Sequence, residues 1–347
     1  MIKHKTISYA KFGYLFILPF FIVYLFFQVY PLFYTFYLST QSNGSQTTSS
    51  VGLANFKIIL SGTPIIDEAK TAENKANGDD TIAYKVQKRS SESTMKDFRR
   101  VLGNTFLLWI GNFIPQIIIS LLLAAWFTDA YLKIKGKGFY KIVMYMPNII
   151  TAASVAALFV MLFSDSKLGA INSWLANHGH EVVPFVSGKT QSRVMIMIIQ
   201  TWMWFGNTTI MLMSGIMGIN PSLFEAANID GASPRQQFFR ITLPLLRPIL
   251  LYTVVTSMIG GLQMYDMPAL YNMGTSQNRY TETIAVYIFN NFHNSMAPNL
   301  GYSAAASVIL FFITAILGAI AFRVNNEDGD QKVRKGNQAL KIKLGGN

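Results

Sequence analysis

The chain has 347 residues, of which 51% are hydrophobic, 14% aromatic and only 13% charged. A soluble domain carries about 25% charged residues, so this composition points to a surface that faces lipid, and the absence of cysteine excludes a disulfide, a thiolate metal site and a cysteine nucleophile. The net charge of +12 would suit a nucleic-acid binder, but its placement along the chain follows a membrane pattern, and no nucleic-acid partner is expected.

A bilayer-crossing helix needs ~20 mostly apolar residues. Six stretches satisfy this: residues 12–38, 102–127, 139–163, 193–217, 248–269 and 302–322. The first is too long and too aromatic for a signal peptide, and no small-residue cleavage site follows it, so it is expected to persist as a span. Lys and Arg in short loops set the orientation. With the N-terminus inside, Lys3, Lys5 and Lys11 are cytoplasmic, as are Lys133, Lys135, Lys137 and Lys141. Arg235, Arg240 and Arg247 fall on the same side, with Arg323, Lys332, Arg334, Lys335, Lys341 and Lys343 of the tail. The short outer loops hold only Lys167, Lys189, Arg193 and Arg279. Long loops cross regardless of charge, so the segment between the first two spans is left out of this balance. Both termini are therefore expected in the cytoplasm.

The organisation that follows has four parts. Residues 1–38 form the N-terminal end and first span, 39–101 an extracytoplasmic insertion, 102–323 the membrane core, and 324–347 a basic cytoplasmic tail. The insertion opens on a flexible polar run, Ser42-Asn43-Gly44-Ser45-Gln46-Thr47-Thr48-Ser49-Ser50, and ends in dense mixed charge, Lys96-Asp97-Phe98-Arg99-Arg100. A small outer cap and a partly disordered excursion are both open readings.

Residues 218–247, between spans four and five, carry the most specific signals. Asn220 is a candidate N-cap with Pro221 at the first helical position. Gly231 can take the left-handed conformation that ends that helix. Ser233 then caps a second helix, with Pro234 first and Gln236 completing a capping box. The expectation is two short helices joined by a tight turn. Leu223, Phe224 and Ala227 share one face of the first, and Ala226 and Ala227 keep it thin. Such a helix suits insertion into a groove on another protein; a helix resting on lipid headgroups is the alternative.

The spacing Glu225-Ala226-Ala227, then Asp230-Gly231, then Ile241-x-Leu243-Pro244 resembles the EAA loop of binding-protein-dependent ABC importer permeases. Asn55-Phe56, Asn104-Thr105, Met146-Pro147-Asn148 and Gly301-Tyr302 resemble the carbohydrate branch of that family, similar to the maltose-system permeases. The family often shows Thr-x-Gly-Gly-Pro after span five, where this chain reads Asn272-Met273-Gly274-Thr275-Ser276, and the excursion after span one is longer than usual. The resemblance implies an all-α, six-helix type I permease fold in a bacterial cytoplasmic membrane. It further implies that Glu225, Ala226, Ala227, Asp230, Gly231, Ile241, Leu243 and Pro244 form a coupling loop against an ATPase. The implied partners are a second permease subunit, two ATP-binding subunits that use ATP and Mg, and an extracytoplasmic substrate-binding protein. No cofactor is expected on this chain.

Two groups are candidate substrate contacts. Gln200, Trp204 and Asn207 lie at i, i+4 and i+7, hence on one helical face. Gln263, Tyr265 and Asp266 lie towards the outer half of span five. Sugars need hydrogen bonds to hydroxyls and a flat apolar ring to stack on, and an aromatic between two amides supplies both. The competing reading is interhelical glue. His178 and His180 hint at a metal, although a solvated loop pair accounts for them. Gly188-Lys189-Thr190 mimics the end of a phosphate-binding loop, but the first glycine of that motif would fall at Val183. ATP hydrolysis is thus expected in a separate subunit. A membrane transferase would need an acidic or histidine cluster, and an ion-coupled carrier would need mid-span carboxylates and inverted repeats; the sequence shows neither. A permease for a different small solute remains open.

Overall fold

The computed structural model describes the backbone of residues 10–41, 50–63, 80–129, 132, 134–271, 279–293 and 300–344. Side chains are described over the same residues except 10–12, 80–89 and 324–344. The polar run at 42–49, Lys133 and the segment Asn272-Met273-Gly274-Thr275-Ser276 lie outside the described residues. Among those described, the chain is helical apart from connections and one isolated antiparallel bridge between Gln41 and Ser50. Four helices are long and apolar enough to cross a membrane, and six crossings result if each of two bent pairs is one span. The protein is therefore a multi-pass membrane protein.

The chain divides into two compact units. The first comprises Met1–Phe98 and Ile288–Ile309. Here α1 (Ala10–Tyr24) and α2 (Tyr30–Ser39) are joined by a π turn over Leu25–Val29. Pro31 has no N–H to offer the carbonyl four residues back, which accounts for the widened turn just before it. The apolar window of this span is wholly exposed, with Phe16 at 84% and Phe26 at 68%. A helix apolar on every side and unburied by its own chain requires lipid or another protein around it. The short α3 (Ala54–Ser61) is anchored by Asn55, whose buried amide donates to the carbonyls of Ser39 at 2.9 Å and Gln41 at 2.8 Å.

The second unit, Arg99–Tyr287 with Leu310–Asn347, holds the functional apparatus. It takes in most of α4 (Asp80–Thr128), a helix that begins well before the apolar stretch at 102 because the charged residues ahead of it are good helix formers. The expected third span is two helices, α5 (Lys137–Ile149) and α6 (Ala152–Leu162), bent by 91°. Pro147 removes a backbone donor, Ile150 is extended, and the Thr151 hydroxyl caps α6 by accepting from the Ser154 N–H at 3.3 Å. The short α7 (Ala170–Asn177) follows, held by Asn172, which donates to the carbonyls of Ser164 and Val183 and accepts from the Val183 N–H. Next comes α8 (Lys189–Met217), whose 29 residues reach ~43 Å. Gly188, from the phosphate-loop mimic, is simply its N-cap. The order continues with α9 (Pro221–Ile229), α10 (Pro234–Gln237), a π turn over Phe238–Thr242, α11 (Leu243–Leu245) and α12 (Arg247–Leu262). Last are α13 (Asp266–Tyr271), α14 (Ile284–Phe292) and α15 (Leu300–Leu344).

Two apolar clusters bracket the middle of this bundle. One joins Leu108 of α4, Val155 and Ala156 of α6, and Ile196, Ile199 and Met203 of α8. The other joins Ala124 and Phe127 of α4, Leu212, Met213 and Ile216 of α8, and Leu246 at the start of α12. Beyond the first cluster a polar clamp closes the end. Arg100 pairs with Glu282 at 2.6 Å, and Asn104 donates to the carbonyls of Arg279 and Glu282, both at 3.0 Å. Arg193 of α8 donates to the Tyr280 carbonyl at 2.8 Å and to the Asn104 side-chain oxygen at 2.6 Å. The Thr105 hydroxyl accepts from the Ile284 N–H at 2.9 Å. The residues Asn104-Thr105 thus hold the start of α14 against α4.

Where α5 crosses α8, Gly206 lies against the Met144 backbone, and an added Cβ would drive into the Met144 carbonyl. Overpacking costs about 1–3 kcal/mol, and here the obstacle is backbone that cannot rotate away. Gly206→Ala should therefore lower the melting temperature of the purified protein and its folded yield. Gly103→Ala, on α4 with open space around it, should lower neither, since alanine favours helix over glycine. Equal behaviour of the two variants in a detergent melting assay would refute the close approach.

Candidate functional site

The loop between α8 and α12 is built from local capping. Asn220 accepts from the Ser222 N–H at 3.1 Å with Pro221 in the first helical position, so α9 starts where its backbone donors would otherwise be unpaired. At its end Gly231 takes φ +73°, and a Cβ added there would meet nothing within 4 Å, so glycine is needed for its backbone and not for space. The Ala232 N–H then reaches back to the Ala227 carbonyl at 2.8 Å. Ser233 and Gln236 form the reciprocal capping box of α10, at 2.7 Å and 3.3 Å. Gln237 braces the two helices by donating to the Asn228 side chain at 2.6 Å and the Ala232 carbonyl at 3.0 Å. The guanidinium of Arg235 lies 5.9 Å from the Phe239 ring centre.

This hairpin leaves α8 at 71°. Glu225, Ala226, Asp230, Gly231 and Pro244 are exposed, whereas Ala227, Ile241 and Leu243 are half-buried. Leu223 is 45% exposed and Ile229 88%, so the loop presents apolar side chains that its own chain leaves uncovered. Thr242 and Leu246 are buried, and Leu246 belongs to the second apolar cluster. The loop is therefore tied to α8 at one end and, through Leu246, to the cluster beneath the middle of the bundle at the other.

Between the two clusters lies a cavity of about 600 Å³. All six residues singled out in spans four and five line it: Gln200, Trp204 and Asn207 from α8, and Gln263, Tyr265 and Asp266 from the end of α12 and the start of α13. The wall contributed by α4 is absent from the sequence expectations. Trp109, Asn112 and Gln116 recur there at i, i+3 and i+7, the same kind of amide and aromatic face as on α8, and that spacing was the signal available to find it. Tyr252, Thr256 and Ser257 of α12 complete the polar lining.

These polar groups divide by what they bond. Gln116 donates to the Thr208 hydroxyl at 2.7 Å, Trp109 to the Ser257 hydroxyl at 3.2 Å, and the Thr201 hydroxyl to the Asn112 carbonyl at 3.1 Å. These are ties between helices, the role expected of polar side chains in a membrane bundle. By contrast, the side chains of Gln200, Trp204, Asn207, Gln263 and Asp266 have no hydrogen-bond partner among the described residues. Trp204 is 46% exposed and presents an unpartnered indole N–H beside its ring. An aqueous cavity lined by free amide donors and acceptors, with a free aromatic face between two of them, can hold a polyhydroxylated molecule. No cluster of three or more metal-ligating side chains occurs among the described residues, and the His178 Nδ1–H donates to the Trp174 carbonyl in its own helix turn at 2.8 Å.

Comparison with known proteins agrees with this layout. Over 233 residues the chain is 29% identical to the lactose transport system permease protein LacF of Rhizobium radiobacter, covering 66% of this chain and 76% of that protein. It is 24% identical over 313 residues to the arabinooligosaccharides transport system permease protein AraP of Bacillus subtilis, covering 90% and 88%. To the sn-glycerol-3-phosphate transport system permease protein UgpA of Agrobacterium fabrum it is 28% identical over 314 residues, covering 89% and 93%. Its fold matches a chain of a bacterial ABC transporter involved in the import of the acidic polysaccharide alginate, with a TM-score of 0.71 at 21% identity over 92% of this chain and 96% of that one. Residues 116–326 match one family, a stretch that takes in α8, the hairpin loop and α12. The chain thus has a type I importer permease fold and belongs to the family of binding-protein-dependent transport system inner membrane components.

Proposed function

We propose that this chain is one permease half of an ATP-driven importer that carries a sugar or oligosaccharide into the cell. The observation that carries the reading is the cavity: free amides and a free aromatic face, bracketed by apolar clusters, in a bundle where Gln116, Trp109 and Thr201 are tied to neighbouring helices. Pockets of this volume suit a small ligand. The lactose and arabinooligosaccharide relatives support the cargo class. A second permease half, homologous or identical, closes the pathway, and two ATP-binding subunits supply ATP and Mg chemistry from the cytoplasmic side. An extracytoplasmic binding protein delivers the cargo, a role supported by the alginate transporter solved with a pentasaccharide-bound periplasmic protein. No covalent chemistry on the cargo is involved.

In this reading α9 is the coupling helix. Its alanine-thinned, exposed surface enters a groove on the ATPase, and closure of the ATPase pair moves the hairpin. Since the hairpin begins at the end of α8 and ends at Leu246, the movement reaches α8 and α12, two of the helices that wall the cavity. In this reading both termini and the loop around Lys133 to Lys141 are cytoplasmic, a topology supported by the Lys and Arg distribution.

The orientation is tested by single cysteines at Lys135 and Ser187, both exposed, in a chain with no native cysteine. An impermeant thiol reagent on intact cells should label position 187 and spare 135; the reverse pattern would overturn the topology.

Coupling is tested at the hairpin. Gly231→Leu forces a Cβ residue into left-handed backbone at about 1–2 kcal/mol and should abolish most substrate-stimulated ATP hydrolysis, whereas Gly231→Asn should retain most of it because Asn tolerates that conformation. Glu225→Arg should weaken co-purification of the ATPase. Wild-type stimulation in both Gly231→Leu and Glu225→Arg would count decisively against a coupling role.

Trp204→Ala should reduce uptake about tenfold or more while complex yield and basal ATP hydrolysis hold, the loss of a stacked ring being worth on the order of 1.4 kcal/mol. If the residue were only packing glue, the loss would be in yield, and mild, since polar contacts between membrane helices average ~0.6 kcal/mol. Uptake and yield measured side by side separate the two.

A further inference from the structure

The cavity carries charge of one sign. Among the described residues that line it, Asp266 alone bears a formal charge, and none is Lys, Arg or His. Asp266 is exposed, and no described residue donates to its carboxylate or pairs with it. Two arginines at that end of the bundle are committed to the clamp: Arg100 to Glu282, and Arg193 to the Tyr280 carbonyl and the Asn104 oxygen. None of the clamp residues lines the cavity.

From this we infer that Asp266 makes the cavity a charge filter, admitting uncharged sugars and rejecting anionic ones such as uronates and sugar phosphates. The inference rests on the sugar-cargo reading and narrows it. A free carboxylate accepts hydrogen bonds from neighbouring hydroxyls of a neutral sugar, and such charge-assisted bonds are about twice as strong as neutral ones. An anionic sugar in the same place meets a like charge with no cation among the described residues that line the cavity. At ~6 Å and an effective dielectric constant of ~20, that repulsion disfavours binding on the order of a hundredfold. Discrimination then comes from a repulsive element as well as from fit. The cargo charge thereby separates this chain from relatives named for sn-glycerol-3-phosphate and from the alginate transporter, whose fold it shares.

The test uses the full importer, with its partner permease and ATPase pair, in lipid nanodiscs without the binding protein, so that the cavity alone is read. A panel of neutral trisaccharides is compared with the same sugars oxidised at C6 to uronates, by quenching of intrinsic tryptophan fluorescence and by uptake into proteoliposomes with the binding protein added. The wild-type complex should bind at least one neutral sugar at least tenfold more tightly than its uronate. Asp266→Asn should bring that ratio close to one, Asp266→Glu should preserve it, and Asp266→Lys should reverse it. A ratio near one in the wild type, or one unmoved by Asp266→Asn and Asp266→Lys at normal complex yield, would overturn the charge filter while leaving the sugar reading intact. Failure of every sugar, neutral or acidic, to bind or enter would overturn the sugar reading and the filter with it.

Discussion

A polar group inside hydrocarbon has no water to bond, so every amide and hydroxyl in a membrane bundle must find a partner in the protein or open onto an aqueous space. The second unit of this chain is arranged by that constraint. Gln116 meets Thr208, Trp109 meets Ser257, and Ser120 donates to the Phe205 carbonyl at 2.8 Å. Thr209 and Thr253 return their hydroxyls to carbonyls one turn back, both at 2.7 Å. Among the described residues only the Asn55 side-chain oxygen and the Ser303 hydroxyl are buried without a partner, and neither lies in the cavity wall. The amides of Gln200, Asn207 and Gln263 stay unbonded because water or a ligand can reach them. They mark where the bundle is open.

The same economy of space links the cavity to the loop. Close helix approach needs small residues, and Gly206, Gly215 and Gly261 each lie where a Cβ would meet a neighbouring helix: the Met144 backbone, the side chains of Leu246 and Ile249, and Trp109 respectively. Gly215 and Leu246 bring the end of α8 onto the start of α12 beneath the cavity. Residues so tightly packed move together, because dense interiors transmit displacement instead of absorbing it. A hairpin rooted at both helices through rigid caps has few slack joints, which suits the coupling role proposed for it.

The hairpin was legible residue by residue because capping is local. Asn220 caps through Ser222 two positions on, the Ser233–Gln236 pair spans three positions, and Pro221 and Gly231 set only their own backbone, so each geometry follows from a few adjacent residues. Apolar counting was blunter. It placed one span over 139–163, where Pro147 and Thr151 split the segment into α5 and α6. It also hid the early start of α4, since charged residues that favour helix leave no apolar trace. The face of α8 could be read from its spacing, and that of α4 could have been by the same rule. Which polar residues were tied and which free could not be read, because Gln116 and Thr208 find each other across 92 positions and Arg100 and Glu282 across 182.

Charge acts twice in this chain, and the two uses have opposite signs. The positive excess of +12 is carried largely by short loops and termini, where it bears on orientation. Arg100 and Arg193 are satisfied by a carboxylate, by carbonyl oxygens or by the oxygen of Asn104, so their charge is used in holding α4, α8 and the start of α14 together. That commitment leaves Asp266 as the charge the cavity shows to its contents. A strongly basic protein thus offers its cargo a weakly acidic interior. Whole-chain charge is therefore a poor guide to what such a permease accepts, and the charge of the cavity lining, counted after internal pairs are removed, is the quantity that bears on cargo.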